Sequence, residues 1–138
     1  MRSTKALLIV TAVAEAGVGL TLLVSPALAT WLLLNVGQPA LEAVVVGRVC
    51  GAALLAISVA CWIAQSNREA ASQRALVLGA LVYNVGVAVV LGSAGMTSGP
   101  LGVGLWPTVA AHTCMAAWCL ACLGTSAAAL RPVAPTSR

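Results

Sequence analysis

Charge is the scarcest feature of this 138-residue chain: seven Lys and Arg, three Glu and no Asp make up only 7% of it. A soluble domain carries about a quarter charged residues, because its surface faces water. Ten charges cannot coat such a globule, so a soluble monomer is excluded. A disordered chain is excluded too, since it needs low hydrophobicity and high net charge. The missing aspartate removes any Ser-His-Asp set. The single histidine, His112, rules out a bis-histidine haem and leaves too few ligands for the usual zinc geometry. No metal or cofactor is expected. All five cysteines fall in apolar runs and none in a loop, which excludes a secreted disulfide framework. The apolar runs are continuous and do not alternate with period two, as barrel strands would. No Gly-rich phosphate-binding loop is present.

What is there is hydrocarbon. Hydrophobic residues make up 61% of the chain and mean hydropathy is +1.04. A transmembrane helix needs roughly 20 mainly apolar residues, and four segments qualify: 6–24, 43–64, 75–92 and 101–123. This predicts an all-α membrane protein, an antiparallel four-helix transmembrane bundle forming a single membrane domain. Ser25-Pro26 stops the first span, because proline lacks the amide donor and clashes with the preceding turn. Residues 27–34 read as a short interfacial helix with Trp31 anchored among headgroups. The segment Gly92 to Gly104 reads as an ordinary loop, with a flexible lid as the alternative, and 131–138 as a basic tail. An Ala27-Leu28-Ala29 ending also matches a signal-peptidase site. The long apolar stretch before it, with Glu15 at its centre, argues instead for a retained span.

Positive charge orients the bundle. Arg2, Lys5, Arg68, Arg74, Arg131 and Arg138 flank the N-terminus, the middle loop and the C-terminus, and the two other loops have no Lys or Arg. With four spans these segments share one side, which the positive-inside rule makes cytoplasmic, in a cell (inner) membrane. The net charge of +4 serves topology and anionic headgroups; no nucleic-acid partner is implied.

Each span carries a polar group that is expensive in hydrocarbon: Glu15, Arg48, Asn84 and His112. At 1.5 Å of rise per residue, their depths above the cytoplasmic side are about 14, 20, 14 and 21 Å, a band near the midplane. An unpaired charge there costs about 2.5–3.5 kcal/mol on insertion scales, so a Glu15–Arg48 ion pair is expected, with Asn84 and His112 adding hydrogen bonds. Alternatively Arg48 snorkels outward, leaving Glu15 protonated or paired with His112. Small residues flank these positions, and Gly47-Arg-Val-Cys-Gly51 has the GxxxG spacing of close helix contacts. Tyr83 adjoins Asn84, and Thr108 and Cys119 share the His112 stripe. The cluster has three readings: a structural clip fixing helix register, a site for a small lipophilic ligand, or a proton-coupled transport site built on Glu15.

Three likenesses bear on the choice. Cys119-Leu-Ala-Cys122 resembles the CxxC of membrane oxidoreductases of the vitamin K epoxide reductase type, which implies thiol or quinone chemistry. No second loop pair exists to relay electrons, and small residues on a packing face explain the spacing. Ala14-Glu15 followed by Gly17 and Gly19 resembles the small multidrug resistance transporters, where such a glutamate binds protons and cationic drugs in turn. The arginine in the second span departs from that pattern. A first span ending near a proline, followed by Arg48-Val-Cys-Gly51-Ala-Ala-Leu54 in the second, resembles the DoxX-like small bacterial four-span membrane proteins. That likeness implies the layout but transfers no reaction. The sequence therefore points to a non-enzymatic membrane module with the bilayer as its first partner, and a homo-oligomer, a larger membrane complex or a lipophilic ligand as others. In a cysteine-free background, a cysteine placed at Ser66 is expected to react with an impermeant thiol reagent only from the cytoplasmic side. Labelling from the periplasmic side alone would invert the topology.

Overall fold

The computed structural model describes residues 2–66, 69–98 and 101–129. Arg68, Pro100 and the basic tail 131–138 lie outside the described residues. Five helices follow one another: α1 (Arg2–Val24), α2 (Pro26–Leu34), α3 (Leu41–Ala64), α4 (Ala70–Thr97) and α5 (Leu105–Ala129). α1, α3, α4 and α5 are each long and apolar enough to cross a membrane, and the chain is a polytopic, all-α four-helix membrane bundle.

Local chemistry sets the breaks. Pro26 takes the first position of α2, where its missing N–H is not needed. Asn35 ends α2 in the left-handed region (φ 58°), and its N–H returns to the Trp31 carbonyl. α4 runs on to Thr97, so the loop expected from Gly92 is helical over its first half. The hydroxyls of Ser93 and Thr97 bond back to the carbonyls of Val90 and Ser93, at 2.9 Å each. Gly95 meanwhile lies where a Cβ would press on Leu105 and Trp106. Helix packing overrides the Gly and Ser composition there.

The helices pack as two pairs, α1 along α3 and α4 along α5, and the pairs touch each other more sparingly. Within the first pair the backbones cross at Gly19 and Gly51. A Cβ on Gly51 would lie 2.7 Å from the Gly19 carbonyl oxygen, and one on Gly19 would lie 2.8 Å from that of Gly51. Gly47 packs against Pro26, so both glycines of the GxxxG face α1 and the start of α2. Two turns further along, Ser58 Oγ donates to the Ala12 carbonyl at 2.7 Å.

The two pairs join at the end of the bundle that carries the α3–α4 connection. Leu7, Leu8, Ala12, Cys61, Ala64, Val77, Ala80, Cys119 and Cys122 form one buried cluster there. Trp118 Nε1 donates to Ser3 Oγ at 2.9 Å, tying α1 to α5 at the same end. At the opposite end α2 bridges the pairs. It packs on α1 and α3, while the N–H groups of Gly102 and Gly104 donate to the Leu33 and Leu32 carbonyls at 3.0 and 2.9 Å. A side chain at Gly102 would overlap the Leu32 carbonyl.

Adding a methyl at the crossing is expected to be costly where it meets backbone and harmless where it meets nothing. Gly51→Ala should lower unfolding stability in detergent by about 1–3 kcal/mol through overpacking. Gly17→Ala, with no atom within 4 Å of its Cβ, should be neutral or stabilising by up to about 1 kcal/mol. Equal melting shifts for the two would show that the crossing is not closely packed.

Candidate polar site at mid-span

Three of the four polar side chains expected to converge do so, with Tyr83 at their centre. Glu15, on the face of α1 that carries Thr11 and Gly19, is 5% exposed. Its Oε2 accepts a hydrogen bond from the Tyr83 hydroxyl at 3.2 Å, which links the α1/α3 pair to the α4/α5 pair. The Tyr83 ring meets the His112 ring edge to face, with centroids 5.5 Å apart and planes at 83°. The next residue on α4, Asn84, is 1% exposed and pairs with His112 on α5 at 2.7 Å.

The hydrogen bonds fix the histidine tautomer. Asn84 Nδ2 donates to the Ala80 carbonyl at 2.7 Å, which turns Oδ1 toward His112 Nδ1. An amide oxygen only accepts, so Nδ1 carries the proton, and a neutral imidazole then keeps a bare lone pair on Nε2. Neither His112 Nε2 nor Glu15 Oε1 has a hydrogen-bond partner among the described residues. Both keep accessible surface, because the one described side-chain N or O atom enclosed without a partner is Thr11 Oγ1.

Arg48 does not join the cluster. It is exposed and makes no ion pair with a described residue, so the expected Glu15–Arg48 bridge is absent. The register of α3 explains this. Gly47 and Gly51 must face α1 and α2, and the residue after Gly47 is rotated about 100° away. Gly51 also sits at the level of Gly19, which places Arg48 about 10 Å along the axis from Glu15. Glu15 is paired with Tyr83 and not with His112.

The secondary positions divide. Tyr83 is central. Thr108 lies one turn from His112 toward the α2 end and makes no side-chain hydrogen bond within the cluster. Cys119 is fully buried in the apolar core below it. None of the five cysteines forms a disulfide: Cys61, Cys119 and Cys122 are buried, and Cys50 and Cys114 are exposed. No group of three His, Cys, Asp or Glu among the described residues could hold a metal ion. Ser58 was not singled out in the sequence, although it continues the Gly47, Gly51, Leu54 stripe at helical spacing and could have been found by extending it. Buried Thr11 carried no signal beyond its place one turn before Glu15.

The polar level also marks where the core stops. Toward the α2 end the buried residues are Gly19, Pro26, Gly51, Leu54 and Leu105. The first four belong to the packing of α1 and α2 on α3, and Leu105 to the packing of α5 on Gly95 of α4. The chain matches no protein-family model, no curated protein and no solved structure.

With no bridge between them, Glu15→Gln and Arg48→Gln should combine additively in detergent unfolding, within about 0.5 kcal/mol. Asn84→Ala strands the Nδ1–H of His112 and should cost about 1–3 kcal/mol by itself. Recovery of stability in the Glu15→Gln, Arg48→Gln double variant would show that the two charges pair after all.

Proposed function

We propose that this protein is a small, non-enzymatic module of the inner membrane that binds a lipophilic small molecule at the Glu15, Tyr83, Asn84 and His112 cluster. The observation that carries the reading is a carboxyl oxygen and an imidazole nitrogen, both unpartnered yet accessible, flanking one tyrosine at mid-span. A cluster serving only as a packing clip gains by satisfying every polar atom internally, since a half-satisfied buried network is worse than none. Unused hydrogen-bonding capacity in a dry setting favours a ligand that completes it.

Orientation follows from charge. Lys5 and Arg74 lie toward the end of the bundle that carries the α3–α4 connection, and with Arg2, Arg68, Arg131 and Arg138 they support cytoplasmic termini. Apolar side chains cover much of the outer surface, which suits lipid and leaves faces for a second copy or a larger membrane complex. The DoxX-like likeness stays part of this proposal as a layout.

A second reading is favoured by one observation: Glu15 is buried at mid-span with no cationic partner among the described residues, as suits a proton-coupled transporter. The two separate in experiment. Mass spectrometry of gently purified protein is expected to show a co-purified lipophile that is lost from a Glu15→Gln, His112→Phe variant. A Glu15→Gln variant that folds normally and loses only pH-dependent substrate movement would establish the transporter instead.

A further inference from the structure

Resting on that reading of the cluster as a ligand site, we propose that its occupant is a lipophile bearing a hydroxyl that donates to His112 Nε2. Three observations converge on it. First, Glu15 Oε1 and His112 Nε2 have no hydrogen-bond partner among the described residues, and both keep accessible surface. Second, the cluster lies at mid-span, with the apolar core on one side of it and, at the other end of the bundle, α2 hydrogen-bonded to Gly102 and Gly104. Its approach is from the hydrocarbon, which selects a lipid-soluble occupant.

Third, the cluster specifies the polar group. His112 Nδ1 is committed as a donor to Asn84, so Nε2 can only accept and requires a donor from the ligand. A hydroxyl supplies that one hydrogen. An ether or ketone offers nothing to Nε2, and a permanent cation has no fixed countercharge unless Glu15 ionises. His112 is thus a specificity-determining residue, and Asn84 is the positioning residue that sets its tautomer.

The test uses three probes that differ only at the polar end: 4-octylphenol (donor and acceptor), 4-octylanisole (acceptor only) and octylbenzene (neither). Each is titrated into detergent-purified protein. The phenol should bind about tenfold tighter than the other two, and His112→Phe should bring it down to their level. The histidine is unique in the chain, so 15N-histidine labelling of the wild-type protein gives a readout that needs no variant. The free protein should show a protonated Nδ1 and a bare Nε2, and the phenol should move the Nε2 resonance alone. Equal binding of phenol and anisole, or a free protein protonated on Nε2 in place of Nδ1, would overturn the hydroxyl assignment and leave the lipophile site standing. Binding of none of the three would overturn the ligand-site reading itself.

Discussion

The hydrogen bond between the Tyr83 hydroxyl and Glu15 is the contact on which the arrangement of this bundle turns. In water such a bond between a phenol and a carboxyl would contribute little, because both groups could be solvated instead. At mid-span in hydrocarbon there is no solvent to substitute, and a polar group that misses its partner carries the full desolvation penalty. The bond also joins α1 of one helix pair to α4 of the other, at the level where the apolar core ends. Below it, interdigitated Leu, Val, Ala and Cys side chains hold the pairs together. At the far end, α2 bridges the pairs.

Glycine sets where that bond can form. The α1–α3 crossing at Gly19 and Gly51 fixes the register of α3, and the register decides which side chains α3 turns inward. Ser58 and Cys61 face the interior; Arg48 does not. A rule about charges, that opposite signs at similar depth pair up, is thereby overruled by backbone contact at two glycines. The stability of a close, small-residue contact in lipid comes from packing over many atoms, whereas a long arginine stem can carry its charge toward the interface at modest cost.

Much of this architecture was legible in the sequence. Composition and run length identify the four spans, Ser25-Pro26 marks the first break, and the spacing of Gly47 and Gly51 marks the close crossing. The polar residues could be placed at one depth by counting, and three of them do meet. Depth is a one-dimensional property, however, and rotation about each helix axis is not. Whether Arg48 faces in or out depends on about 100° of helical phase, which is fixed by the partner's surface and not by residues near Arg48. The α4 extension to Thr97 was hidden for a similar reason. Its Gly and Ser residues signal a loop locally, while Leu105 and Trp106, packed on Gly95, hold them helical. Tyr83 looked secondary beside its neighbour Asn84, yet it is the residue that reaches across to the other pair.

The most direct test of this account is a magic-angle-spinning NMR measurement of side-chain carbon contacts in lipid bilayers, using protein labelled at Glu, Tyr and Arg. The Tyr83 hydroxyl oxygen lies 3.2 Å from the Glu15 carboxyl oxygen, so a cross peak is predicted between Tyr83 Cζ and Glu15 Cδ, with none between Glu15 Cδ and Arg48 Cζ. A Glu15–Arg48 cross peak in place of the Glu15–Tyr83 one would contradict the account at its centre.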